Sequence, residues 1–398
     1  MTRDLFMRIV NALESRYLYF RFRHDASGRP GHTPIQKCTA AIRQLAYGGA
    51  TDMWDEYLHI GETTALQCLK NFCLGVIEVF GDQYLRKPTP EDCQDLLRMH
   101  GSQHGFPGML GSIDCMHWEW KNCPTAWKGF YTSGYKGKNP TMILEAVADY
   151  RLWIWHAYFG IAGSNNDLNV LNSSPLFNEQ CQGVGPAISF VANGSQHDMG
   201  YYLADGIYPR WPVFVKTIRC PGDEKKAYFA ARQESARKEV ERAFGVLQSR
   251  WGAIKGPTRM WDVQCIADIM YACIIMHNMI VETHCGGENF PAEPVAAPLE
   301  EVVAKRVVSE SAALREGRLS KRFYKDLDLM NPTLKLPLSP AEEASLPEFE
   351  ESEKRERGCR KKESFAALML LVGLFALQIA DGRRLEKDTF GGGGLGGG

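Results

Sequence analysis

The chain has 398 residues, 44% apolar, 23% charged and 11% aromatic, close to the composition of ordinary globular proteins. Its 46 Lys and Arg nearly cancel 47 Asp and Glu, so any basic surface has to come from local clustering rather than net charge. Twelve cysteines with no Cys-x-x-Cys pair argue against a disulfide scaffold, and the polar, aromatic-rich stretch Met1–Arg23 lacks the apolar core of a secretory signal. Reduced thiols in the nucleus or cytoplasm are the expectation.

At roughly 100–200 residues per domain, two or three domains are expected. Residues 1–100 read as a helical N-terminal domain. Leu5–Phe22 carries apolar residues at helical spacing, and Thr33-Pro34 caps a second helix through Ala46. A short helix over Asp52–Leu58, a Gly61 turn and a longer helix over Glu62–Phe80, stopped by Gly81, give a helix-turn-helix outline. The longer helix carries Lys70 against Glu62 and Glu78, which favours a packed helical element over a DNA reader. Thr89-Pro90-Glu91-Asp92 opens a further helix over Pro90–Met99.

The pattern changes over residues 101–285. An apolar run ends in Asp114, and strand-like runs follow at Met142–Ala148 and Leu152–Gly160 around the turn Asp149-Tyr150-Arg151. These three predict consecutive antiparallel neighbours. Ser164–Asp167 caps a helix from about Leu168, and Tyr201–Ala204 is a second apolar run, ending in Asp205. One long helix is predicted over Asp223–Trp251, with Val240, Phe244, Leu247 and Trp251 as its buried stripe, and an apolar helix over Val263–Val281 closes the domain. Cys273, His277, His284 and Cys285 have spacings a zinc site could use, but their apolar neighbours predict a buried helix instead. Strands, a helix, a strand and more helices define an α/β class. Residues 286–398 read as a charged linker and solvated tail with a helix near Val302–Leu327. The apolar stretch 365–380 falls short of the roughly 18–20 residues that span a bilayer, so no membrane partner is expected.

A Walker phosphate loop, a His-Glu-x-x-His helix and a Gly-x-Ser-x-Gly elbow are all missing. What remains is carboxylates in apolar settings. Asp114 in Gly-Ser-Ile-Asp-Cys-Met and Asp205 in Tyr-Tyr-Leu-Ala-Asp-Gly each incur a burial penalty unless a hydrogen-bonded loop or a cation compensates it. On the long helix, Glu241 flanks the buried stripe beside Gly245, whereas Glu239 sits on the opposite shoulder, where a surface ion pair is the ordinary outcome. Three such carboxylates can hold two Mg²⁺ ions for phosphodiester chemistry, while the plain alternative is strand-end aspartates bonded to loop amides. Residues 121–140 add Lys121, Lys128, Lys136 and Lys138 with no acidic residue, interleaved with Trp118, Trp120, Trp127, Phe130, Tyr131 and Tyr135. Residues 216–259, with Lys238 and Arg242 among them, hold eleven basic against five acidic side chains. Aromatic faces among lysines suit stacked bases and phosphates, and equally suit an ordinary packed loop.

Five blocks, GMLGSIDCMHWEWKNCPTAWKG, ILEAVADYRLWIWHAYFGIAGSNNDLNVLNSSPLF, GYYLADGIYPRWPVFVKTI, RKEVERAFGVLQSRWGAIKGPTRMW and IMYACIIMHNMIVE, occur here in one order and resemble plant Harbinger-type transposase-derived nucleases over roughly residues 34–285. The resemblance implies an RNase H-like core, a mixed sheet flanked by helices, with an Asp-Asp-Glu triad at Asp114, Asp205 and Glu241 that binds Mg²⁺ or Mn²⁺ and cuts DNA. It also implies nuclear action beside a Myb-like DNA-binding partner, no small-molecule cofactor, and an oligomeric state left open, a homo-oligomer included. Lys121, Trp127, Lys128, Lys136, Lys138, Lys238 and Arg242 are the expected DNA contacts. The alternative is a host-adopted DNA- or chromatin-associated adaptor that keeps the fold without turnover.

Overall fold

A computed structural model describes residues 1–285 apart from 25, 50–57, 135, 136, 178–187 and 193. The expected helix over Asp52–Leu58 lies almost wholly outside them, and so do Lys136, Tyr135 and everything after residue 285, the stretch 365–380 included. By its contacts the chain divides into Met1–Pro332 and Thr333–Gly398, and all described residues belong to the first unit.

The first four helices are α1 (Arg3–Arg16), α2 (Pro34–Tyr47), α3 (Glu62–Tyr84) and α4 (Pro90–His104). Local chemistry explains their starts. Thr33 and Thr89 each form a capping box, accepting from the third backbone N–H while Gln36 or Asp92 reaches back, with proline at the first helical position. Two ends differ from expectation. α1 stops at Arg16 because Tyr17 turns extended, and α3 runs through Gly81 to Tyr84. One glycine costs about 1 kcal/mol in a helix interior, which burial of Phe80 and Tyr84 on either side can outweigh.

The sheet has the order β3-β2-β1-β6-β7, built from β1 (Met109–Glu119), β2 (Thr141–Ala148), β3 (Ile154–Ala162), β6 (Tyr201–Ala204) and β7 (Phe214–Lys216). β1, β2 and β3 are antiparallel neighbours as expected, while β6 runs parallel to β1 and β7 parallel to β6, giving a mixed sheet. A small hairpin of β4 (Phe190–Ala192) and β5 (Ser195–His197) stands apart. The short helices are α5 (Lys128–Tyr131), in the β1–β2 connection, and α6 (Asp167–Ser173), after β3. The long helix expected over Asp223–Trp251 is instead two: α7 (Glu224–Arg237) and α8 (Glu239–Arg250), parted at Lys238. The turn α9 (Gly252–Lys255) and the helix α10 (Val263–Cys285) follow.

The largest buried cluster joins α1–α3 to β1–β3 and to α8–α10, so the N-terminal helices and the sheet share apolar packing. α10 is long and apolar enough to cross a membrane, but most of it is buried in this core. His277 on α10 is a core residue: its Nε2 donates to the Leu152 carbonyl at 2.8 Å and its Nδ1 accepts from Arg250 at 3.0 Å. Burial pushes its pKa down to about 4, so it is neutral at physiological pH. Among the described residues no group of three or more His, Cys, Asp or Glu side chains is placed to hold a metal, on α10 or elsewhere.

Candidate active site

Ser112 on β1 is the hub around which the candidate carboxylates are arranged. It pairs with Leu203 across the parallel β1–β6 ladder. Asp114 lies two residues beyond Ser112 on β1, and Asp205 directly follows Ala204, the last residue of β6. Both carboxylates therefore lie just beyond the same end of the β1–β6 ladder. The Ser112 hydroxyl also accepts from the Val240 amide at 3.1 Å, at a buried position. Val240 is the second residue of α8, so Glu241 follows directly on an amide tethered two residues from Asp114.

This tether accounts for the break at Lys238. Restarting a helix leaves its first amides without intrahelical acceptors, and here one is taken by a side chain 128 positions away. Gln233 on α7 secures the other strand: its Nε2 donates to the carbonyls of Ala204 and Val215, both at 3.1 Å, just before Asp205. Asp205 itself folds the chain back, its Oδ1 accepting from the Ile207 amide at 2.8 Å. Lys216 holds the same loop by donating to the Tyr208 carbonyl at 2.6 Å.

Asp114 feels its acidic neighbours. Burial pushes the Asp114 carboxyl up to about 6, and the carboxylates of Asp167, Asp205 and Glu241 push the same way, against the Cys115 amide that donates to Asp114 Oδ1 at 2.8 Å. Glu241 is exposed and bonded to Arg237 at 2.9 Å, with Arg237 shared by Glu234 at 2.9 Å. Glu239, expected on the surface, is the buried member of the pair, held by Arg242 at 2.7 Å with His104 3.3 Å away. Arg242 is therefore partly neutralised as a phosphate contact.

Asp167 was missed by sequence reasoning, which placed it in a capping stretch. It occupies the first turn of α6, whose cap is Asn166, accepting from the Asn169 amide. The available signal was positional: it opens a helix five residues after the apolar strand β3 ends at Ala162. Glu145 was also missed. It is fully buried opposite Cys115 and bonded to His156 Nε2 at 3.1 Å, which in turn meets Ser174 Oγ at 3.2 Å.

Of the expected DNA contacts, Lys121, Lys128, Lys138 and Lys238 are exposed, and so is Trp127. Trp118 and Trp120 are buried, with their indole N–H groups donating to Gly256 and Met260 carbonyls at 2.8 Å, so neither can present a face to a base.

Replacing Ser112 by alanine should test the hub. It leaves the Val240 amide buried without an acceptor, for an expected loss of about 1–3 kcal/mol. Urea unfolding should report that loss, and an unchanged midpoint would show that the tether carries no energy.

A mixed five-stranded sheet that gathers carboxylates at one end of two parallel neighbours, with a helix tethered beside them, defines a class of α/β protein with an acidic centre. A family described as plant transposon protein matches residues 82–287, just over half of the chain, and the chain belongs to that family. It is 24% identical over 262 residues to Protein ALP1-like of Arabidopsis thaliana, a match covering 65% of this chain and 63% of that protein. It is 22% identical over 273 and 272 residues to the proteins named Putative nuclease HARBI1 of Bos taurus and Homo sapiens, covering 68% of this chain and 72% of each. The chain thus spans less than two thirds of the ALP1-like relative. No solved structure matches it.

Proposed function

We propose that the protein is a transposase-type DNA nuclease with an RNase H-like core, in which Asp114, Asp205 and Glu241 bind divalent cations and cut phosphodiester bonds. The observation that carries this reading is the convergence on Ser112: β1 supplies Asp114, the paired strand β6 leads to Asp205, and the tethered start of α8 supplies Glu241. Membership of the plant transposon family and the word nuclease in the HARBI1 name support it.

Among the described residues these carboxylates do not stand grouped to hold a metal, yet as oxygen donors they suit a hard cation once Glu241 leaves Arg237. All three groups are carboxylates, and the Asp114 carboxyl is raised by burial and by its like-charged neighbours, a situation that a bound cation relieves. Mg²⁺ or Mn²⁺ in such a centre supplies activation of the attacking oxygen and neutralisation of the leaving one. The chain's own part is positional. Asp114 and Asp205 are fixed by adjacent strands, and Glu241 joins them by exchanging its bond to Arg237, which then becomes free to meet a phosphate. Lys121, Lys128, Lys138 and Lys238 hold the DNA backbone through phosphate contacts. The site of action is the nucleus, beside a Myb-like partner that finds the DNA end.

The second reading, an adaptor without turnover, draws on that same Glu241–Arg237 pair, which keeps the third carboxylate engaged elsewhere. A nicking assay with a transposon-end duplex and Mn²⁺ separates the two. The nuclease cuts, and Asp114→Asn does not. Equal cleavage by both proteins removes the catalytic assignment, and no cleavage by either favours the adaptor.

A further inference from the structure

Trp261 exposes 68% of its surface, and Trp127 and Phe130 expose 41% and 50%. Large aromatic side chains left this open are uncommon, and they gain meaning when they share a surface. These three do. Buried Trp120 links the two segments, its ring 6.1 Å from that of Trp127 and 5.0 Å from Tyr131, which in turn stands 5.5 Å from Phe130. Its indole N–H donates to the carbonyl of Met260, the residue before Trp261.

The two segments are locked together although they are far apart in sequence. Lys121 N–H donates to the Thr258 carbonyl at 2.9 Å, Thr258 N–H to the Glu119 carbonyl at 2.8 Å, and the Asn122 amide to the Arg259 carbonyl at 2.5 Å. The 256–260 segment thus runs as an extra edge along the end of β1, with a parallel bridge between Trp120 and Thr258. Exposed cations stand on both segments: Lys121 and Lys128 on one, Lys255 and Arg259 on the other. The acidic groups close by are Glu119, which accepts from Asn139, and Asp262, whose Oδ1 accepts from the Gln264 amide.

We infer that this rigid aromatic and basic surface is a platform for unpaired DNA bases, with the lysines and arginine holding the backbone between them. The inference rests on the nuclease reading above and specifies part of its substrate. Charge complementarity points to a polyanion. Ring faces distinguish which form of it, because a duplex offers base edges in its grooves and buries the base faces, whereas an unpaired strand presents them. Trp120, which links the two segments, lies six residues along the chain from Asp114, about 20 Å at strand rise. That distance is about six base pairs at the 3.4 Å duplex rise, so a strand frayed within a few nucleotides of the acidic centre reaches the aromatic rings.

The test uses the full chain in EDTA, so that binding is read without cleavage, with a fluorescein-labelled ten-residue oligothymidylate and a duplex of the same length as probes. Trp261→Ala and Trp127→Ala should each weaken oligothymidylate binding by about 5- to 150-fold, corresponding to about 1–3 kcal/mol per stacked base, and weaken duplex binding by a clearly smaller factor. Trp261→Tyr should keep most of the affinity, and Leu18→Ala, which removes an exposed apolar side chain outside both segments, should change neither probe. Unchanged oligothymidylate binding in both tryptophan variants overturns the inference, and so does an equal loss for single strand and duplex. Because no metal is present, this result is independent of the Mn²⁺ nicking assay, and either idea can fail without the other.

Discussion

Replacing Asp114 by asparagine is expected to make the folded protein more stable at neutral pH while removing its response to Mn²⁺. The wild-type carboxyl titrates at about 6, against an ordinary value of 3.8, because burial and three neighbouring carboxylates disfavour its charge. A folded-state value above the unfolded one means that the native state binds the proton more tightly. The associated stability is fully present below about pH 4 and is lost as pH rises through about 6. At pH 7.5 the ionised group then costs up to about 3 kcal/mol. Asparagine still accepts from the Cys115 amide but carries no charge, so the melting temperature in EDTA should rise by several degrees. The difference should close near pH 4. Mn²⁺ at a hundredfold excess over its dissociation constant should add about 2.7 kcal/mol to the wild type, and little to the variant. A variant that melts lower than wild type at pH 7.5, with the same Mn²⁺ shift, would show that Asp114 is an ordinary bonded strand residue.

The second large effect lies away from the site. Asn278 on α10 is fully buried, its Oδ1 accepting from the Ile154 amide at 2.9 Å and its Nδ2 donating to the carbonyls of Ile154 at 2.8 Å and Tyr84 at 2.6 Å. One side chain thereby joins α10 to the start of β3 and to the end of α3. Leucine at this position matches the size and abandons three backbone groups inside the protein. At about 1–3 kcal/mol for each buried unsatisfied group, the expected loss is at least about 3 kcal/mol. Denaturant titration should show it, and a loss below about 1 kcal/mol would mean that water or repacking rescues those groups.

Much of the fold was legible because it is written locally. The capping boxes at Thr33 and Thr89, the stripe Val240, Phe244, Leu247 and Trp251, and the three apolar runs that became β1, β2 and β3 depend on near neighbours. The features that escaped are non-local. The break at Lys238 answers to a serine 128 residues distant, and β1 runs past Asp114 to Glu119 because Met116, Trp118 and Trp120 are buried on a shared face. β7 is three residues long, too short to show a period. Burial of Glu239 could not be read from the helix face alone, because its partners include His104 on α4. In the candidate site, Asp205 at the end of a strand was legible, the expected strand end at Asp114 proved to be the middle of β1, and the influence of Asp167 on Asp114 emerged with the fold. Sequence could list the aromatic residues of 118–135 but could not sort buried Trp118 and Trp120 from open Trp127 and Phe130, nor add Trp261 to them.

The proposed activity requires Asp114, Asp205 and Glu241 to act as one cation-binding unit. Mn²⁺ binding followed by electron paramagnetic resonance on the wild type and on Asp114→Asn, Asp205→Asn and Glu241→Gln measures this most directly. Each single substitution should weaken binding at least about tenfold, equivalent to about 1.4 kcal/mol. Undiminished binding in any one of the three would take that carboxylate out of the centre, and undiminished binding in all three would contradict the centre itself.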